Sequence, residues 1–392
     1  MGSPFPSRFV NLVEARRRFS DRVDRIGAFL SRVDPIADAA VDALRSLPRD
    51  AGWEVFRRAT SNGSAASRDA PDAVRALVAS AEHVPAWVDW SVVDAGGAVL
   101  LRAGPIGGLV LGLKSLVLAY TSPAGNKPLV FSGRMTEQAP RRLLETARFV
   151  RATILPGSMR PHAPGWRLTL QVRLIHAEVR RMILATGRWD PGAWGLPINQ
   201  HDEAGTSYLF SQAVLAGVRR FGLRVDANES DAYMHLWRWS AHVMGIDAEL
   251  VPATETDAVR LAELMRVTQA APDDDSRALT KALLETALRD TPAGREAAAR
   301  RALHVASALC RMLVGDEVAD QLGVARTRLA NVTPLLRGGV ARVDRLARLV
   351  PWVREEGVRA GRRYWNQVTG AEGGAEAEEL GLPGLVAKRN SS

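Results

Sequence analysis

Arg167-Leu-Thr-Leu-Gln-Val-Arg-Leu-Ile-His176-Ala-Glu-Val-Arg-Arg181 decides the fold, because its spacing is helical and it carries one histidine. Side chains three and four positions apart share a helical face, so Thr169, Val172, Arg173, His176, Val179 and Arg180 form one stripe. Leu168, Ile175, Met182 and Ile183 widen that stripe into an apolar band. A single histidine on such a band is a candidate nitrogen donor to a haem iron, with Arg173 and Arg180 as candidate partners for anionic propionates. Read without its neighbours, the same pattern also suits a packed histidine bonded to a carbonyl.

Thirty positions before His176 stands Thr146, in Arg142-Leu-Leu-Glu145-Thr146. The preceding Thr136-Glu-Gln-Ala-Pro140 opens a helix, with Thr136 as cap and Pro140 in the first turn. Arg142 and Thr146, four apart, then point the same way. Arg142 suits a propionate, a substrate or oxygen, and the Thr146 hydroxyl can donate a hydrogen bond toward oxygen.

Apolar residues recur at helical intervals through 9–30, 36–47, 73–82, 105–120, 138–152, 167–186, 207–221, 230–245, 256–269, 277–289, 295–314 and 339–350, with no alternating strand pattern. The fold expected is all-α. Pro, Gly and Asn mark breaks at 123–126, 155–158, 161–165 and 191–197, a flexible connector is expected at Ser61–Ser67, and 370–392 looks like a mobile tail.

The chain has 392 residues, 46% hydrophobic, enough for a large core. Its formal charge of +9 rests on arginine, since Lys114, Lys127, Lys281 and Lys388 are the only lysines. No basic and aromatic recognition motif accompanies the charge, so a specific nucleic-acid partner is not expected; arginines that pair internally are the better account. Cys310 stands alone, which excludes an internal disulfide framework and a CxxC metal site. The N-terminus lacks the apolar run of a secretory signal, so a cytoplasmic protein is expected. Pro105–Tyr120 is the longest apolar stretch, but Lys114 near its centre favours a buried core helix over a transmembrane span. Peripheral membrane contact stays compatible with the basic charge. No phosphate loop or GxSxG elbow is present.

Other candidates read as structural. Cys310 lacks the glycine-rich loop of a haem thiolate, His235 and His242 belong to a tryptophan-rich helix, and Asp202 or Glu203 after His201 suits a helix N-terminal turn.

The Arg142-x-x-x-Thr146 pair, its thirty-residue interval to His176, and Val172-Arg-Leu-Ile-His176-Ala-Glu-Val-Arg-Arg181 resemble the latex clearing protein rubber oxygenases and MpaB-type oxygenases, the DUF2236 group. Val84-Pro-Ala-Trp-Val-Asp89, Gly195-Leu-Pro-Ile-Asn-Gln200 and Asp231-Ala-Tyr-Met-His-Leu-Trp-Arg-Trp239 extend the resemblance over roughly 80–255. It implies a globin-like helical core holding haem b, His176 as axial iron ligand, and O2-dependent cleavage of a carbon–carbon double bond. The division it suggests is an N-terminal helical extension (1–79), the catalytic core (80–255), C-terminal helices (256–369) and the tail (370–392). Arg142 and Thr146 would organise oxygen and substrate, and Arg173 and Arg180 would meet the propionates.

Two positions depart from the resemblance. Rubber oxygenases carry a lysine directly before the threonine that can close the sixth iron site, and Glu145 stands here. Their candidate base, a glutamate about twenty residues before the threonine, is replaced by Asn126 beside Lys127. The expected substrate is therefore an apolar prenyl or lipid-like alkene rather than rubber. The alternatives are a haem-binding carrier or sensor without turnover, and a haem-free helical scaffold or lipid-binding protein.

Overall fold

The structure, a computed structural model, describes residues 4–48, 51–131, 139–286, 294–329 and 333–370, with the backbone alone at 139, 140, 142 and 351. Two short helices, α1 (Leu12–Phe19) and α2 (Arg22–Ala28), precede α3 (Pro35–Arg45), α4 (Ala51–Asn62) and α5 (Asp72–Glu82). Then come α6 (Trp90–Gly96), α7 (Ala98–Ala103), α8 (Pro105–Val110), a π-helical turn (Leu111–Ser115), α9 (Leu116–Ala119) and α10 (Pro123–Phe131). The hairpin of α11 (Ala139–Ile154) and α12 (Pro164–Ala185) leads through α13 (Pro191–Trp194) to α14 (Gln200–Phe210), α15 (Gln212–Phe221) and α16 (Ala227–Val243). The chain closes with α17 (Glu255–Val267), α18 (Asp274–Leu284), α19 (Glu296–Val314), α20 (Asp316–Gln321), α21 (Thr333–Leu349) and α22 (Pro351–Thr369). No strand occurs among the described residues, so the fold is all-α as expected.

Several boundaries differ from the sequence reading, for local backbone reasons. The helix expected over 9–30 breaks at Ser20, whose φ of 54° leaves the helical region. The one expected over 207–221 breaks at Ser211, with φ −94° and ψ −97°. Pro123, read as part of a break, instead opens α10, where a first-turn proline loses no hydrogen bond. The connector expected at Ser61–Ser67 is pinned: the Ser64 amide donates to Glu82 at 3.0 Å, and the Ser67 hydroxyl donates to the Gly63 carbonyl at 2.8 Å. Thr136 and residues 371–392 lie outside the described residues.

The largest core cluster draws on α3 and α5 (Ala37, Leu77), the central helices (Trp166, Leu174, Trp239) and α22 (Trp365). A second cluster packs Phe9, Ile26, Phe29 and Leu30 against Ala204, Ile246 and Leu264. Each such fully buried large apolar side chain contributes roughly 1.5–3 kcal/mol. N-terminal helices are thus built into the core that carries the site. No single described helix is long and apolar enough to cross a membrane; α6–α7 and α8–α9 form a pair bent by 91°. Lys114 is buried on the π-helical turn, and burial, with Arg220 nearby, pushes its amine down to about 8.

Candidate functional site

α12 starts with Pro164, and Gly165 lets it press against α11: a Cβ there would sit 2.5 Å from the Ala152 carbonyl oxygen. Trp166 anchors the same turn by donating to the Ala81 carbonyl at 3.2 Å. The hairpin is antiparallel, with Ala152 beside Gly165. Stepping equally along both helices sets the Arg142 backbone near the level of Ile175 and His176, and Thr146 roughly one turn deeper. Arg142 thus belongs to the right end of the hairpin, but its side chain lies outside the described residues. Pro140 occupies the first turn of α11.

His176 is held by an unforeseen residue. Its Nδ1 lies 2.8 Å from Oε1 of Glu203, on the first turns of α14. The histidine side chain is 30% exposed and the glutamate 10%. Nε2 has no hydrogen-bond partner among the described residues. A carboxylate on one ring nitrogen fixes the tautomer, orients the ring and leaves the other nitrogen to donate its lone pair. α14 is placed by its own cap, the Asn199 side chain accepting from the Asp202 amide at 2.9 Å, and by Arg8, which grips both Asp202 oxygens at 2.8 Å. Burial acts to raise the Asp202 carboxyl, but Arg8 and His201 outweigh it and hold the group well below the usual carboxylate range. The Asp202 carboxylate thus binds Arg8 and the side-chain amide of the capping Asn199, while Glu203 binds His176.

Arg173 and Arg180, expected at propionates, are committed elsewhere. Arg173 Nε donates to Asp34 Oδ2 at 2.6 Å and Nη2 to Oδ1 at 3.2 Å, while Nη1 reaches Ser80 Oγ at 3.1 Å and the Val243 carbonyl at 3.3 Å. Gly245, at φ 80°, makes room for the guanidinium, since a Cβ there would meet Nε at 2.4 Å. Arg180 donates to Asp38 at 2.9 Å and to the Ile198 carbonyl at 3.2 Å. With Arg45 donating to Glu178 at 2.6 Å and Arg181 to Asp42 at 3.0 Å, these pairs form a charged ladder between α3 and α12. Burial pushes the Asp38 carboxyl up, against the pull of Arg180. Sequence spacing put both arginines beside His176 but could not show the aspartates opposite them.

On α11, Thr146 is half-buried and no described residue engages its hydroxyl. Glu145 accepts from Arg141 Nε at 2.8 Å, the arginine pairing expected of a carboxylate at this position. One turn along, Phe149 meets Phe210 with ring centroids at 5.8 Å, and Phe210 stacks on Trp237 at 5.3 Å. Trp237 Nε1 is buried inside this aromatic wall, with no acceptor in good geometry among the described residues. Asn126 is buried and donates to the Tyr120 carbonyl at 2.9 Å and Ser276 Oγ at 3.2 Å, so it is a structural amide.

The remaining candidates pack as read. Cys310 is fully buried, and burial pushes its thiol up to about 12. Nε2 of His235 accepts from the Asp89 amide at 3.1 Å, and His242 stacks on Trp239 at 5.3 Å. Among the described residues no three His, Cys, Asp or Glu side chains are grouped to share a metal ion. The donor offered here is one imidazole nitrogen oriented by a carboxylate, which suits a metal that takes its remaining ligands from a cofactor.

A family model described as "ER-bound oxygenase mpaB/B'/Rubber oxygenase, catalytic domain" matches residues 90–355. The rubber oxygenase of Streptomyces sp. (strain K30) is 26% identical over 336 residues, which are 83% of this chain and 80% of that protein. The solved structure of latex clearing protein LCP in the closed state aligns with a TM-score of 0.65 and 26% identity, covering 84% of this chain and 88% of that one.

Proposed function

Because the chain belongs to the family of ER-bound oxygenase mpaB/B' and rubber oxygenase catalytic domains, we propose that it is a haem-b-dependent oxygenase that uses O2 on an apolar, alkene-containing, prenyl or lipid-like substrate. The observation that carries the reading is His176, oriented through Nδ1 by Glu203 with Nε2 unclaimed. His176 would hold the iron. Bound haem would supply the activation of dioxygen. Glu203 accepts the Nδ1 proton's hydrogen bond, which makes Nε2 a stronger donor and keeps the ring from rotating. Thr146, whose hydroxyl no described residue engages, would stabilise charge that develops on the reacting oxygen, and Arg142, four positions before it on α11, would assist. Phe149, Phe210 and Trp237 offer an apolar surface to an alkene. Arg173 and Arg180 act on this site by fixing α12 to α3 rather than by touching haem.

Glu145 and Asn126, where rubber oxygenases place a lysine and a glutamate, support a substrate other than rubber. The test is oxygen uptake by haem-loaded protein against prenyl and unsaturated lipid compounds. Thr146→Val and Arg142→Ala are expected to keep haem and lose turnover by on the order of 10²-fold. Full turnover in both variants removes these residues from the site, and absence of a Soret band in haem-supplied wild type overturns the cofactor.

A further inference from the structure

α21 is folded inside out. At about 100° per residue, Leu335, Arg342, Leu346 and Leu349 lie along one line of the helix, Val343 flanks them, and Asp344 is diametrically opposite. Asp344 points inward and is 9% exposed; it accepts from Arg102, from the Arg224 amide at 2.9 Å and from Arg348 at 3.3 Å. The apolar row points outward. Leu335 is 77% exposed, Val343 67%, Leu346 65% and Leu349 74%, and Trp352 at the start of α22 continues the row at 67%. A monomeric surface rarely leaves so many large apolar side chains together in water.

Charge complementarity indicates what covers the row. Arg342 lies within it and Arg345 beside it, both exposed and without an ion pair among the described residues, on a chain of net charge +9. Leucines and a tryptophan flanked by unpaired arginines are the composition of a helix that lies in a bilayer interface, with apolar side chains among the acyl chains and guanidiniums at anionic headgroups. We propose that α21 and the first turn of α22 seat this protein on anionic lipid membranes as a peripheral protein. The proposal rests on the oxygenase reading only for its purpose, which is to bring the enzyme to an apolar substrate dissolved in the bilayer; the binding itself needs neither haem nor turnover.

The experiment is co-sedimentation of the full chain with vesicles of phosphatidylcholine containing phosphatidylglycerol, against vesicles of phosphatidylcholine alone. Wild type is expected in the anionic pellet, with partitioning that falls as salt rises. Leu346→Ser/Leu349→Ser and Arg342→Gln/Arg345→Gln are each expected to lower partitioning by about ten-fold or more, with unchanged circular dichroism and thermal unfolding. The proposal is overturned if wild type stays in the supernatant, or if neither variant changes partitioning. It is equally overturned if light scattering shows a dimer that the serine variant splits, or if binding appears only after removal of residues 371–392, since a second copy or the chain's own end would then cover the row.

Discussion

Replacing Arg173 by methionine separates two roles that its position beside His176 leaves entangled. The side chain is 4% exposed and makes two hydrogen bonds to Asp34, itself 7% exposed. Methionine fills similar volume but leaves the aspartate facing an apolar neighbour. Removing one partner of a buried ion pair costs about 3–5 kcal/mol, mostly the penalty of the charge left behind. Against a typical total of about 5–15 kcal/mol, that is about a fifth of the stability or more. Urea unfolding of the haem-free protein, followed by circular dichroism, reads it directly. Asp34 also caps α3 by accepting from the Ala37 amide at 3.1 Å, so the control should keep an oxygen there. Arg173→Met/Asp34→Asn removes the orphaned charge, retains the cap, and is expected to regain at least about half of the loss. If haem-free Arg173→Met is as stable as wild type while haem affinity falls, Arg173 belongs to a propionate and the ladder between α3 and α12 is incidental.

Three further outcomes follow from the site and its surroundings. His176→Ala is expected to fold and lose most of its haem, whereas Glu203→Gln should keep haem with affinity lowered by about 10–100-fold; Soret titration checks both, and unchanged affinity in Glu203→Gln removes the orienting role. With Glu145 turned to Arg141, ferric haem-loaded protein should be mainly high-spin by electron paramagnetic resonance, and Glu145→Lys should add a low-spin nitrogen-ligated signal; a dominant low-spin signal in wild type means another residue closes the pocket. Lys114 is held near 8 in the folded state against an ordinary 10.5, so between those values the unfolded chain binds more protons and stability should rise with pH. Below about 8 the burial penalty is complete, and Lys114→Met should stabilise the protein at pH 7 by on the order of 3 kcal/mol, an advantage that fades toward pH 10.5; a pH-independent difference refutes the assignment.

How much of this was legible in the sequence depends on the distance over which each feature is determined. α12 was legible because its apolar spacing acts within one helix, although Pro164, read as part of a break, in fact opens it. The thirty-residue interval between Thr146 and His176 took its meaning from the resemblance, since spacing alone does not interpret it. Glu203 was not legible as a partner, since a carboxylate 27 positions from the histidine looks the same whether it stabilises a helix N-terminus or holds an imidazole. The propionate role expected of Arg173 and Arg180 came from local pattern, which put two cations near a candidate ligand; the Asp34 and Asp38 carboxylates that pair with them stand some 140 positions earlier. Part of the arginine content is paired internally: Arg8, Arg45, Arg102, Arg173 and Arg180 each meet a carboxylate within the fold.

α21 marks a sharper limit. Periodicity identifies a helix near 339–350 and a separation of apolar from charged positions, and the usual inference turns the apolar side inward. Here the charged side is the one with partners. Arg102 from α7, Arg224 before α16 and Glu229 within α16 form a buried network into which Asp344 and Arg348 fit, with Arg348 donating to Glu229 at 2.6 Å. A buried carboxylate left unpaired would cost several kcal/mol, comparable to exposing a few leucines, so satisfied ions can outweigh an apolar face in choosing the orientation. The outward leucines then call for a neighbour other than water, and the vesicle measurement decides whether that neighbour is lipid.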